Sequence, residues 1–258
     1  MFNSISRAFA LTLAAGLSTG IGSGAAFLSK KGNRLFLSVS LGFSAGVMIY
    51  VSMIEIFPKA QEDLCNVYGQ SMGGALTALS FFAGMVLIAV LDRILPLEET
   101  PSEPQSSGLM KTGIYTALAI SIHNFPEGIA TFVSALQEPG VAIPVVAAIA
   151  IHNIPEGIAV SVPIYQATGS RARAFFYSFL SGMAEPVGAF LGWLLLRPLL
   201  AGPALGYLFA AVAGIMVFLS FDELLPAAGA YGSRNSSACG MTAGMAVMAV
   251  SLLLLAAP

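Results

Sequence analysis

Apolar stretches long enough to cross a bilayer follow one another along almost the whole chain, at about 8–28, 35–57, 71–95, 112–136, 142–165, 174–196, 205–226 and 241–257. A backbone in hydrocarbon must satisfy its own N–H and C=O groups, and an α-helix does this within one segment. The reading is therefore an all-α, polytopic membrane protein with eight transmembrane helices. With 57% hydrophobic and 9% charged residues and a mean hydropathy of +0.84, there is no room left for a soluble catalytic domain. A single transmembrane domain over residues 1–258 is expected. The longest polar linker, Pro96 to Lys111, is rich in Pro, Ser and Glu and reads as a mobile loop. Segment 1 follows a single basic residue, Arg7, as a signal peptide would. It is read as a span because the internal repeat described below needs it.

Lys and Arg fix the orientation. With the N-terminus outside, Lys30, Lys31, Arg34, Arg93, Lys111, Arg171, Arg173 and Arg234 lie on the cytoplasmic side, against Arg7, Lys59 and Arg197 outside. Both termini then face outward. The net charge of −2 and the lack of a basic cluster exclude a nucleic-acid surface. Cys65 and Cys239 are expected in loops on opposite sides, which argues against a disulfide.

Ala45–Pro58 aligns without gaps to Ala213–Pro226, with six of fourteen positions identical, including Glu55/Glu223 and Pro58/Pro226. The spacing of 168 also sets Gly20 on Gly188 and Gly24 on Gly192, while segments 3 and 8 show no convincing match. Segments five apart in an alternating topology run in opposite directions, so this is an inverted repeat. Segments 4 and 5 form a second inverted pair, in which Ile122–Ala130 and Ile151–Ala159 differ only at Phe125/Ile154. The plan is 3+2+3. Glycines at four-residue spacing mark faces where helices approach closely.

Both histidines of the chain lie in that second pair, in His123-Asn-Phe-Pro-Glu-Gly128 and His152-Asn-Ile-Pro-Glu-Gly157. On a helix His123 and Glu127 share a face, with Asn124 about 100° round, and His152, Asn153 and Glu156 repeat the pattern. Pro126 and Pro155 free the carbonyls of Ile122 and Ile151 and are expected to bend both helices. Glu185, next to Pro186 in segment 6, adds a third buried carboxylate and reads as a ligand rather than a packing residue. Polar groups like these are costly in hydrocarbon and mark function. No Lys or Arg lies in a segment interior, so either protons or a divalent cation must neutralise the acids. Imidazole with carboxylate suits zinc, ferrous iron, manganese or cobalt; calcium and magnesium prefer all-oxygen sites. A solvated or capping role and a place on an ion path are both open for Glu55 and Glu223. Asp92 and Asp222 read as structural.

These motifs, with Ser181-Gly-Met-Ala-Glu185 and Ser220-Phe-Asp-Glu-Leu-Leu-Pro226, resemble the ZIP (Zrt/Irt-like) family of metal-ion permeases, and its bacterial branch in particular, over all eight helices. The resemblance implies import of zinc, iron, manganese, cobalt and cadmium as transported ions, with no cofactor, across a bacterial inner membrane with periplasmic termini. It implies a binuclear site. One position would use His123, Glu127, His152 and Glu156; the other would use Asn124, Glu127, Asn153, Glu156 and Glu185, with Glu127 and Glu156 bridging. It also implies that helices 1, 4, 5 and 6 move against helices 2, 3, 7 and 8. The His-rich loop of many relatives is missing from Pro96–Lys111. Expected partners are the metal ions and lipid; the oligomeric state stays open, a homodimer included. An intramembrane metalloenzyme is the first alternative, but His-Glu-x-x-His and Glu-x-x-His are both absent. A cation or proton channel is the second.

Overall fold

The computed structural model describes residues 2–24, 28, 30–94, 104–136, 139–196 and 203–255, and among them there is no β-strand. The helices are Phe2–Ser23 (segment 1), Arg34–Val51 running on to Tyr68 (segment 2), Gln70–Ile94 (3), Pro104–Ala135 (4) and Pro139–Thr168 (5). Segment 6 is Arg171–Gly182 with Ala184–Leu191 and Gly192–Leu196, segment 7 is Ala204–Leu219 running on to Tyr231, and segment 8 is Arg234–Leu255. Six of these stretches are long and apolar enough to cross a membrane as they stand. Segments 4 and 6 are not among the six. Segment 4 carries His123, Asn124 and Glu127, and segment 6 is interrupted at Met183.

Several boundaries differ from the sequence reading. Segment 2 does not end at Phe57 but continues through Pro58, because a proline in the first turn of a helix gives up an N–H that has no partner there anyway. Segment 4 starts at Pro104, so residues 104–111 of the expected loop are helical; residues 95–103, and Arg197, lie outside the described part. Cys65 and Cys239 lie within helices rather than loops, and both are free. Segments 4 and 5 stay helical through Pro126 and Pro155.

The inverted repeat is visible in the backbone. Segment 2 widens into a π turn at Ser52–Ile56 and segment 7 at Ser220–Leu224, the same 168 residues apart as the aligned sequences. In both, the residue before the proline bonds five residues back, Phe57 N–H to Ser52 O and Leu225 N–H to Ser220 O. The next residue, Pro58 or Pro226, has no N–H to continue the ladder. Ser52 Oγ donates to Met48 O (2.6 Å) and Ser220 Oγ to Met216 O (2.8 Å), a further matched pair.

Close glycine contacts set the register of the rest. Segment 8 packs on segment 2 and segment 3 on segment 7. A Cβ at Gly244 would strike the Phe43 carbonyl, and one at Gly84 the equivalent Ala211 carbonyl. Gly46 against Met241 and Gly214 against Phe81 repeat this. Segments 3 and 8 are therefore related after all, at a spacing of 160. Between segments 1 and 6 the spacing is 166, not 168. Gly16 and Gly182 abut each other's carbonyl oxygens. Gly22 sits on Ile154 O as Gly188 sits on Phe125 O, so Gly22, not Gly20, is the counterpart of Gly188. The layers follow from burial: 67% of the spanning part of segment 5 is buried but only 22% of segments 3 and 8, so the latter two face outward from the bundle.

Candidate metal centre

His123 and Glu127 lie one turn apart on segment 4, with Nε2 to Oε2 at 3.1 Å. Segment 5 brings the second copy of the motif against the first. His123 Nε2 is 3.2 Å from Glu156 Oε1, and His152 Nε2 is 2.6 Å from Glu127 Oε1. One ligand atom from each of His123, Glu127, His152 and Glu156 lies within 4.8 Å of the others, and all four residues are buried. First-row metal–ligand bonds of about 2.0–2.2 Å need only small side-chain shifts to close such a set around one ion.

Glu127 holds the centre of this geometry, one oxygen toward each imidazole. Glu185 comes in from segment 6, fully buried, and accepts from Asn153 Nδ2 at 2.8 Å. The two asparagines are tied symmetrically: Asn124 Nδ2 donates to Ser181 O (3.2 Å) and Asn153 Nδ2 to Ala15 O (3.0 Å). Their side-chain oxygens are left over. Across these seven residues, six buried nitrogen and oxygen atoms have neither a hydrogen bond nor an ion-pair contact: His123 Nδ1, His152 Nδ1, Asn124 Oδ1, Asn153 Oδ1, Glu156 Oε2 and Glu185 Oε1. A buried polar atom without a partner costs about 1–3 kcal/mol. A site that concentrates so many is built for a ligand that supplies charge, and acceptor oxygens with imidazole nitrogens call for a cation.

Of the site residues expected from the sequence, His123, Glu127, His152 and Glu156 meet in one cluster, Asn153 and Glu185 bond each other, and Asn124 bonds Ser181 O. A cleft of about 560 Å³ is lined by His123, Glu127 and His152 and by Glu55, Lys59, Phe209 and Val212. Glu55 thus shares one cleft with three residues of the cluster. Lys59, assigned in the sequence only to the outer loops, stands in the same cleft with its ammonium 5.6 Å from the Phe209 ring. Glu223 and Asp222 line a second cleft of about 320 Å³ with Leu118, Ala119 and Leu219, and none of the four cluster residues is in its wall. Ser44, unremarkable in the sequence, donates to Pro155 O at 2.7 Å and ties segment 2 to segment 5 one residue from Glu156 of the cluster. It lies one residue outside the aligned repeat, and nothing in the sequence singles it out.

A helical bundle with an inverted repeat and a buried, cation-seeking centre in one cleft defines a membrane transporter. The sequence profile described as ZIP Zinc transporter matches residues 96–252. "Zinc transporter ZupT" of Streptococcus mutans is 59% identical over 96% of this chain and 97% of its own length. The proteins of the same name from Clostridium perfringens and Chlorobium chlorochromatii are 56% and 55% identical, each over 98% of this chain and over 97% and 99% of their own lengths. The chain belongs to the ZIP family of transporters and is not an enzyme.

Proposed function

We propose that this protein imports zinc, and with low selectivity iron, manganese, cobalt and cadmium, into the bacterial cytoplasm across the inner membrane. The observation that carries this reading is the buried His123–Glu127–His152–Glu156 cluster, three of whose residues, His123, Glu127 and His152, line the Glu55 cleft. Relatives named zinc transporters support zinc as the first ion. The other metals rest on the donor set, because mixed imidazole and carboxylate ligands separate these ions weakly.

In this reading the Glu55 end is periplasmic, as are both termini, because the basic residues gather at the other end. The protein works as a monomer or homodimer, with lipid against segments 3 and 8. An ion enters past Glu55 and meets the two imidazoles. Two ions are held: one by His123, Glu127, His152 and Glu156, the other by Asn124, Glu127, Asn153, Glu156 and Glu185. The second set is supported by the unpartnered oxygens of both asparagines and Glu185. Helices 1, 4, 5 and 6 then shift against helices 2, 3, 7 and 8 and open the Glu223 end.

Uptake by purified protein in liposomes tests the function. Zinc should enter down its gradient, the other four ions should compete, and His123→Ala should slow entry. Liposomes that take up none of these ions would sink the proposal. Impermeant thiol labelling in a Cys239→Ser background tests the orientation: Glu62→Cys should react from the periplasm and Lys31→Cys should not.

A further inference from the structure

The pseudo-two-fold pairs every helix of the site with a counterpart, and one pair is chemically unequal. The axis exchanges Asn124 with Asn153, Ser181 with Ala15, and Gly128 with Gly157, as the matched hydrogen bonds and glycine contacts require. Gly128 backs onto the Glu185 carbonyl and Gly157 onto the Thr19 carbonyl. A Cβ at Gly16 would meet Glu185 Cβ, and a Cβ at Gly182 would meet Thr19 Cβ and Oγ1. Thr19 of segment 1 therefore occupies the place that Glu185 occupies in segment 6.

Thr19 is fully buried and its Oγ1 makes no hydrogen bond. Thr116 is the other fully buried threonine in that state. Threonines within helices back-bond to the carbonyl one turn earlier, and Thr12, Thr77 and Thr131 do so, to Ala8, Gly73 and Glu127. For Thr19 that carbonyl is Ala15 O, which instead accepts from Ser18 Oγ and from Asn153 Nδ2. The hydroxyl is left for something else. Glu185 reaches Asn153; the same operation turns Thr19 toward Asn124, whose Oδ1 is also buried without a hydrogen bond. A threonine is two heavy atoms shorter than a glutamate, so the counterpart of the Glu185–Asn153 contact is missing, and Thr19 Oγ1 and Asn124 Oδ1 both stay without a hydrogen bond.

We propose that the Thr19 hydroxyl is a further oxygen ligand for the ion beside Asn124, the uncharged counterpart of Glu185; this rests on the two-ion reading above. Its neutrality has a purpose in a carrier. Two divalent ions face three carboxylates, Glu127, Glu156 and Glu185. A fourth carboxylate at position 19 would balance the charge and hold the second ion. A hydroxyl supplies the oxygen and lets the ion go.

Thr19→Val keeps the shape and removes the oxygen; Thr19→Ser keeps the oxygen. Zinc calorimetry on purified full-length protein in detergent should show the weaker event lost or weakened about tenfold in Thr19→Val, with the tighter event unchanged within twofold. Thr19→Ser should bind both ions nearly as the unaltered chain does, and zinc uptake in liposomes should show a raised KM in Thr19→Val alone. Wild-type binding and KM in Thr19→Val would overturn the proposal, as would equal loss in both variants, which would mean packing. If the unaltered chain binds a single zinc, the two-ion reading fails by itself. The KM of Thr19→Val then decides: a raised value keeps Thr19 as a ligand and an unchanged one removes it.

Discussion

The cleft at the Glu55 end and the cleft at the Glu223 end start from equivalent π turns, Ser52–Ile56 and Ser220–Leu224, but go different distances. The first reaches His123, Glu127 and His152; the second is walled by Ile88, Leu91, Leu118 and Leu219 before it meets any of the four cluster residues. Backbone symmetry supplies two mouths, and side chains decide which one is open. Ser44 shows how. It bonds Pro155 O and lines neither cleft, while its repeat counterpart, Val212, lines the Glu55 cleft and cannot donate. A transporter built from one repeat turned over must have two such states, and unequal contacts set their populations.

The largest expected effect comes from removing what both mouths must share. Glu127 faces the open cleft and holds an oxygen toward each imidazole. Glu127→Gln should cut zinc uptake about 100-fold or more in liposomes. His123→Ala, which removes one ligand from one position, should cost roughly tenfold, within the range for loss of a single coordinating group. Equal and mild losses in the two variants would mean that Glu127 does not bridge.

The inequality of the clefts can be measured directly. In a Cys239→Ser background, Ala130→Cys in the Glu55 cleft should react with a small thiol reagent at least about tenfold faster than Leu118→Cys in the Glu223 cleft. Similar rates would show that the two states exchange freely without metal, and the one-sided opening would then carry no weight.

Much of this was legible in the sequence, and what was not has physical reasons. The eight apolar stretches, the 168-residue repeat and the doubled His-Asn-x-Pro-Glu-Gly motif led to the fold and to the four residues that meet in the cluster, His123, Glu127, His152 and Glu156. The kinship of segments 3 and 8 was hidden because a lipid-facing helix needs only apolar bulk. What the repeat keeps there is a backbone contact, Gly84 on Ala211 and Gly244 on Phe43, which leaves one glycine per helix as its trace. The register of segments 1 and 6 slipped by two because Gly16, Gly20, Gly22 and Gly24 offer several alignments, and only the touching pair Gly16–Gly182 picks one. Residues 104–111 read as loop because polarity was weighed above helix continuity. Ser44 and Thr19 are small polar residues in apolar helices, a setting in which most simply bond their own backbone.

Protons compete with metal for the imidazole nitrogens and carboxylate oxygens of the cluster. Binding zinc should release protons, because histidine ligates only when neutral and the carboxylates ligate best when ionised. For each proton displaced, apparent affinity should fall about tenfold per unit as pH drops. Calorimetry in buffers of different ionisation enthalpy reads the number released, and a heat independent of the buffer would rule the exchange out.

The smallest effect is the most specific to the comparison. A single hydrogen bond contributes about 0.5–1.5 kcal/mol, so losing Ser44–Pro155 should shift the balance between the two states about fivefold. Ser44→Val copies Val212 at its repeat counterpart. With its latch gone, Leu118→Cys should label faster and Ala130→Cys correspondingly slower. Val212→Ser should act in the opposite sense to the native Ser44 contact, placing a donor where segment 7 meets segment 4 and favouring closure of the Glu55 end. The double exchange, Ser44→Val with Val212→Ser, should invert the preference seen in the unaltered chain. The rates must move in opposite directions at the two cysteines, because a single equilibrium populates one opening at the expense of the other. Should both cysteines speed up together in Ser44→Val, the bond would be holding the bundle together rather than choosing a side, and the asymmetry of the clefts would have to lie in residues other than this pair.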